Sequence, residues 1–273
     1  MPLAFVDRPP TPEEFERFRL ILSTYQDGSG MLAMSDDSTL PGWRDFERTV
    51  AAAFGGVAQE DKSIFDVLVH AGNGKTQYGI SCKMRGELNR LDKDGRVTIE
   101  LSNSIKKFQD YLALKGIKPE RYVARARQVG GALVDLVEQW KREVSLEQGG
   151  QVDLAKSCYL TLMYNRAGFY QVHWFRLALP TPAKLKWYYP KIKRDGKLQI
   201  AGHLNGDDED GGRVFEWYSR SGGQLKYYPL AQDALWASER FRLEPIPSNR
   251  RTIDLTAKAQ MYFPELWAKS AGA

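Results

Sequence analysis

Ser63-Ile64-Phe65-Asp66-Val67-Leu68-Val69-His70, then Ala71-Gly72-Asn73-Gly74-Lys75-Thr76, then Gln77-Tyr78-Gly79-Ile80-Ser81-Cys82-Lys83-Met84: this run decides the fold. Two apolar segments flank a polar connection containing Asn-Gly, a strong signal for a two-residue type I′ hairpin turn. With Asn73-Gly74 as the turn, cross-strand partners sum to 147 and Asp66 stands opposite Ser81. Side chains alternate faces along a strand. Tyr78, Ile80, Cys82 and Met84 then point to an apolar side, and Gln77, Gly79, Ser81 and Lys83 to a polar one. The first strand is read with Phe65, Val67 and Val69 on one side and Ile64 and Leu68 flanking Asp66 on the other. Asp66, Ser81 and Lys83 share a face, and Lys83 is one diagonal step from Asp66. A carboxylate between Ile64 and Leu68 is costly to bury without a partner. A salt bridge to Lys83 would satisfy it without any further role.

Gly72-Asn73-Gly74-Lys75-Thr76 is a decoy for a phosphate-binding loop. Such a loop needs glycine five residues before the Gly-Lys-Thr and leads into a helix. Here that position is Val69, and an alternating strand follows.

Upstream, Thr11-Pro12-Glu13-Glu14 has the residues of a helix start, and Phe15, Phe18, Leu22 and Tyr25 continue it as a stripe. Met31–Leu40 reads as a loop. Pro41-Gly42-Trp43 opens a helix with Phe46, Val50, Ala53 and Phe54 on one face, Glu47 beside that face and Gly55-Gly56 as its stop. Downstream, Arg96–Leu101 reads as a strand. A helix capped by Ser102 or Ser104 carries Ile105, Phe108, Tyr111, Leu112 and Leu114. Another spans about 131–144, with Leu133, Leu136, Val137 and Trp140. Beyond residue 150 the pattern becomes β-rich: 157–164, 169–179, Trp187-Tyr188-Tyr189-Pro190, 214–218, 224–229 and 241–245. A closing helix is expected over 255–267. The expected class is α/β (α+β), a central mixed sheet flanked by helices with a β-rich C-terminal part. Residues 1–150 form the helical N-terminus and core, and 151–273 the β-rich part, within two domains or a single one.

The chain has 273 residues, 42% hydrophobic and 27% charged, as in an ordinary soluble globular protein. No apolar run approaches membrane-spanning length, and the N-terminus lacks the basic start of a signal peptide. Two cysteines, Cys82 and Cys158, do not make a disulfide framework, so a cytoplasmic location is expected. Cys82, on the apolar face of its strand, reads as a buried inert thiol. His70, His173 and His203 are scattered, without zinc-site spacing. The net charge of +5 is compatible with a nucleic-acid partner. Lys83, Arg85, Arg90, Lys93, Arg96, Lys106 and Lys107 follow the hairpin. Lys184, Lys186, Lys191, Lys193, Arg194 and Lys197 form a second basic cluster, beside the acidic run Asp207–Asp210. The aromatics Trp187, Tyr188 and Tyr189 stand among those lysines, where they would stack on bases or fill a core.

Glu47 on a helix, Asp66 on a strand and Ser81-Cys82-Lys83 on the next strand together resemble the PD-(D/E)XK nuclease superfamily, which includes restriction endonucleases. The resemblance covers roughly residues 43–116, in the order helix, strands, helix. The proline usual before the aspartate is Phe65 here, and Ser81 replaces the usual acid of the second strand. The resemblance therefore implies a glutamate recruited from elsewhere, with Glu47 the first candidate and Glu87 the second. It implies a restriction-endonuclease-like core and a Mg2+ ion held by Asp66, the Cys82 backbone carbonyl and that glutamate. Lys83 would position water or neutralise phosphate, and Ser81 would bond a metal-bound water. Arg85, Arg90, Lys106, Lys107, Lys186, Lys191, Lys193 and Arg194 would bind DNA. The implied activity is that of a type II restriction endonuclease acting on double-stranded DNA as a homodimer, beside a cognate DNA methyltransferase. Cleavage of RNA or of modified or branched DNA, or DNA binding without catalysis, are the alternatives.

Overall fold

In the computed structural model, Thr11 caps α1 (Pro12–Thr24) through a reciprocal capping box with Glu14. The structure describes residues 2–34, 38–60, 64–72, 74–247 and 261–270. The segment after α1, expected as a loop, carries a small antiparallel ribbon of β1 (Leu32–Ala33) and β2 (Thr39–Leu40). Helix α2 (Trp43–Phe54) starts at Gly42 and stops at left-handed Gly55. It buries Phe46, Val50 and Ala53 as its spacing predicts.

Strands β3 (Gly56–Ala58), β4 (Val67–His70) and β5 (Gln77–Arg85) follow as a meander. Then come α3 (Leu88–Asp94), β6 (Ile99–Ser102), α4 (Ile105–Leu114) and α5 (Ala126–Glu143). The remaining strands are β7 (Cys158–Tyr164), β8 (Tyr170–Arg176), β9 (Lys186–Tyr188), β10 (Lys191–Arg194), β11 (Lys197–Ile200), β12 (Leu204–Asp207), β13 (Arg213–Trp217), β14 (Leu225–Tyr227) and β15 (Trp236–Ala237).

Two sheets form the body. The larger has six strands in the order β15-β8-β7-β5-β4-β3, and the other five in the order β6-β14-β13-β12-β9. Among the described strands every ladder is antiparallel except that of β5 with β7, so the six-stranded sheet is mixed. A parallel pair needs a crossover, and this one carries β6, α4 and α5. Both sheets draw strands from either side of residue 150.

Helices α1 and α2 cover one face of the six-stranded sheet, burying Phe18, Leu22, Phe46 and Val50 against Val67, Val69, Ile80, Cys82 and Leu160. Helices α4 and α5 cover the five-stranded sheet, burying Phe108, Leu112, Leu133 and Val137 with Trp187, Phe215, Trp217 and Leu225. A third cluster joins the two sheets through Phe65, Leu88, Ile99, Tyr159, Met163 and Phe175.

Several sequence expectations are corrected. Phe65 does not share a face with Val67 and Val69. β4 begins only at Val67, and the Phe65 ring lies over Gly79, where a Cβ would come within 2.3 Å of it. Leu114 is 85% exposed and belongs to no apolar stripe. The segment 241–245 forms no strand; Phe241 exchanges one pair of backbone hydrogen bonds with Tyr170. Of the expected closing helix, residues 255–260 lie outside the described residues, and a helix runs over Pro264–Ser270.

Helix α5 begins at Ala126, five residues before the expected start, because Gly130-Gly131 is no break. A Cβ at Gly130 would meet the Trp187 indole at 2.1 Å, whereas Gly131 has nothing within 4 Å. Gly130→Ala is therefore expected to destabilise by about 1–3 kcal/mol through overpacking. Gly131→Ala should stabilise by about 0.5–1 kcal/mol through helix propensity. Thermal denaturation of the two variants checks the contrast; equal shifts would contradict the packing assignment.

Among the described residues no helix is long and apolar enough to cross a membrane.

Candidate active site

The hairpin has the expected register with a different turn. Val67 pairs with Ile80, Leu68 with Gly79, Val69 with Tyr78 and His70 with Gln77, each pair summing to 147. The turn is closed one residue earlier than expected, by Gly74 N–H to Ala71 O at 2.9 Å, with Gly74 left-handed at φ 68°. Asn73 lies outside the described residues. Ala71 N–H to Thr76 O, at 2.8 Å, holds the ends of the loop together and preserves the register.

The ladder ends at Val67–Ile80, and Asp66 N–H reaches back to Ile80 O at 3.1 Å. Where β4 departs, the Asp66 side chain takes its place beside β5. Oδ2 accepts from Cys82 N at 2.8 Å, Ser81 Oγ at 3.2 Å and Lys83 Nζ at 2.9 Å. Among the described residues no donor reaches Oδ1. In an extended strand a residue's N–H and C=O point the same way. The Cys82 carbonyl therefore faces the same vacated edge as the Asp66 carboxylate.

Helix α2 packs on β4 and β5 and brings Glu47 to this point. Glu47 is 4% exposed and sits 3.3 Å from Arg44 Nη1. Burial first, and the Asp66 carboxylate second, push its carboxyl up from 4.5 to about 7, with Arg44 and Lys83 opposing. Two carboxylates, one ammonium and a backbone carbonyl thus converge at the end of β4. Burial, with Asp66 next, also raises the Cys82 thiol well above its usual range, as befits an inert side chain.

Glu47's raised value has a sign that can be checked. Between pH 4.5 and about 7 the folded protein holds a proton that the unfolded chain has released. Stability should therefore fall as pH rises through that window and level off above it, by up to about 3 kcal/mol. Glu47→Gln should remove this slope. Denaturant midpoints of both proteins from pH 5 to 8 measure it, and parallel curves would rule the assignment out.

On the other side of Lys83 opens a cleft of ≈ 420 Å³. It is lined by Asp66, Ser81 and Lys83, by Ser102 at the end of β6, by Ser104 and Lys107 at the start of α4, and by Trp140 and Lys141 from α5. Glu47 is not part of this cleft and approaches from the α2 side. Lys141 is the residue that sequence reasoning missed. Its Nζ donates to Leu177 O at 2.8 Å and pairs with Glu138 at 2.7 Å, 5.3 Å from the Tyr159 ring. Burial, opposed by Glu138, lowers its pKa. The available signal was a lysine four residues after Val137, on the buried side of its helix.

The other candidates disperse. Glu87 stands apart, accepting from Thr98 Oγ1 at 2.6 Å and facing Arg90. Among the described residues it makes no hydrogen bond or ion pair with Asp66, Ser81 or Lys83. Arg85 pairs with Glu100. Arg90 pairs with Asp94 and lies 4.1 Å over the Tyr228 ring. Lys106 pairs with Asp110, whereas Lys107 lines the cleft beside the Trp140 ring. Lys186 is exposed on β9, and Lys191, Lys193 and Arg194 are exposed on β10. Trp187 is buried in the core, and Tyr188 donates to Asp207 at 2.7 Å, so these two rings are not free to stack on bases.

Comparison with known proteins gives no match: no family model, no curated protein and no solved structure is significantly similar to the chain.

Among the described residues no group of three or more His, Cys, Asp or Glu side chains gathers into a metal cage. The donors at the end of β4 nevertheless fit Mg2+, which takes one or two carboxylates with water and phosphate oxygens for the rest. They are the open Oδ1 of Asp66, the Glu47 carboxylate and the Cys82 carbonyl.

Proposed function

We propose that this protein is a Mg2+-dependent endonuclease that hydrolyses DNA phosphodiester bonds, with a restriction-endonuclease-like core. The observation that carries this reading is the Asp66 carboxylate bound to Cys82 N, Ser81 Oγ and Lys83 Nζ, with Glu47 as its electrostatic neighbour. The succession of α2, the β3–β5 meander, further helices and a strand parallel to β5 is in keeping with it.

Asp66, Glu47 and the Cys82 carbonyl are assigned to hold the ion. When bound, Mg2+ supplies a water of lowered pKa and neutralises charge on the phosphate. Lys83 orients the attacking water and offsets negative charge at the phosphorus. Asp66 fixes the Lys83 ammonium in place, and Ser81 holds Asp66 from the neighbouring position. Glu47 must be ionised to serve, so activity rises with pH through about 7. Lys107 and Lys141 place two more cations along the cleft that the substrate would occupy. A type II restriction enzyme acting on double-stranded DNA as a homodimer, beside a cognate methyltransferase, is the biological form proposed.

The test is incubation of the full chain with plasmid DNA and Mg2+, beside Asp66→Ala and Lys83→Ala. Discrete fragments from the wild type alone support restriction. Smears, or cleavage of RNA, move the substrate to another nucleic acid. No cleavage of any nucleic acid, or undiminished cleavage by both variants, defeats the proposal.

A further inference from the structure

The β10–β11 ribbon belongs to neither sheet. Its register is Lys191 with Ile200, Ile192 with Gln199, Lys193 with Leu198 and Arg194 with Lys197. Residues 191–200 are all exposed. The turn is Asp195-Gly196, both left-handed at φ 51° and 77°, the type I′ geometry that suits a tight hairpin. An isolated two-stranded hairpin is marginal in water, so this one depends on its anchorage. Ala201, 1% exposed, donates to Pro190 O at 2.8 Å, and the two strands continue into β9, at the edge of the five-stranded sheet, and its neighbour β12. Between Tyr188–Asn205 and Lys191–Ile200 the returning strand has two extra residues, a bulge of the kind that bends a strand out of its sheet.

Four cations and one carboxylate give these ten residues a surplus of three positive charges, against five for the whole chain. Three apolar side chains stand among them in solvent: Ile192 at 42%, Leu198 at 68% and Ile200 at 42% exposure. That charge density complements a polyanion. The shape narrows it further. The major groove of B-DNA, about 12 Å wide and 8.5 Å deep, admits a two-stranded β-ribbon, and strands about 4.8 Å apart fit within it.

We propose that the β10–β11 ribbon enters the major groove of duplex DNA, reading base edges with Arg194, Lys197 and Gln199 and contacting phosphates with Lys191 and Lys193. The register separates the two jobs. Ile192, Arg194, Lys197 and Gln199 share one face; Lys191, Lys193, Leu198 and Ile200 share the other. Arginine and lysine match guanine edges, glutamine matches adenine, and an aliphatic side chain packs on a thymine methyl. The ribbon rests on the nuclease reading for its substrate and adds to it the reading element and its groove.

The test uses the full chain in EDTA, so that cleavage does not intervene. A randomised duplex pool is selected on wild-type protein, and the selected and scrambled duplexes are then compared across a salt series. Arg194→Ala and Gln199→Ala should each lose about 5- to 150-fold of the preference for the selected duplex. Lys191→Ala and Lys193→Ala should weaken both duplexes alike and reduce the salt slope by about one each. Unchanged melting temperatures confirm that the variants fold. If wild type cleaves and binds DNA but the variants keep its preference and salt slope, the ribbon assignment fails and the nuclease reading stands. Variants that only dissociate a dimer also overturn the ribbon assignment. Wild type that binds no duplex at all overturns both.

Discussion

Asp66→Ala is expected to lower Mg2+-dependent DNA cleavage by on the order of a thousandfold or more, the loss seen when one electrostatic group is taken from a reacting centre. The carboxylate is proposed to act on the ion through Oδ1, and Oδ2 demonstrably gathers Cys82 N, Ser81 Oγ and Lys83 Nζ. Alanine removes both functions and leaves the Lys83 ammonium, whose side chain is 21% exposed, without that partner. Orphaning this partly buried ammonium costs at most about 1–3 kcal/mol, the range for fully buried groups, so Asp66→Ala should also melt earlier than wild type. Asp66→Asn separates the two effects. Its amide oxygen can still accept from Cys82 N, so stability should be largely kept while cleavage remains lost. Lys83→Ala should resemble Asp66→Ala in rate, and the double variant should lose little more, because groups acting as one unit are not additive. Single-turnover rates for the three variants and the double variant provide the comparison. A double variant whose loss is the product of the two single losses would mean that Asp66 and Lys83 act separately.

Trp217→Ala is expected to cost about 3–5 kcal/mol, a fall in melting temperature of about 6–20 °C for a domain of this size. Trp217 is 0% exposed at the centre of the core between α4, α5 and the five-stranded sheet. Its ring meets Phe108 edge-on at 6.1 Å and lies 5.7 Å from Tyr122. No neighbouring element can collapse into the space it leaves without moving these rings. The indole Nε1 has no partner among the described residues, so Trp217→Phe discards a buried unbonded donor along with some volume. Its cost should be nearer 1–2 kcal/mol. Calorimetric melting of both variants tests this. Equal losses would mean that the indole N–H is hydrogen-bonded in solution.

The hairpin was legible because its information is local. The period-2 alternation of Tyr78, Ile80, Cys82 and Met84 and the short connection define one register. That register survives a turn closed at Ala71–Gly74 because the spacing between the strands is unchanged. The capping box at Thr11 and the stop at Gly55 are equally local. The start of α5 was not legible in the same way: at Gly130 the sequence displays only a missing side chain, and Trp187 shows what occupies its place. Asp195-Gly196 carried a hairpin signal as strong as Asn73-Gly74, yet its flanking strands have few apolar residues and bury nothing, so hydrophobic periodicity did not reveal them.

The site divides in the same way. Asp66, Ser81 and Lys83 are two to seventeen residues apart, so a local reading brought them together, although Asp66 lies just before β4 and reaches Ser81 and Lys83 where the ladder has ended, not as a paired strand residue. The resemblance put Glu47 ahead of Glu87, but each lies on a different element whose docking no local pattern reports. Packing of Phe46 and Val50 against Val67 and Ile80 carries Glu47 to the end of β4, and a hydrogen bond from Thr98 holds Glu87 elsewhere. Lys141 enters the cleft only because α5 crosses Tyr159. By itself the sequence determined the register of β4 with β5 and the nearness of Asp66 to Ser81 and Lys83, since backbone geometry propagates these over a few residues. Tertiary structure decided which second carboxylate joins them and which lysines line the cleft, since burial of apolar faces, acting across the whole chain, sets where each helix comes to rest.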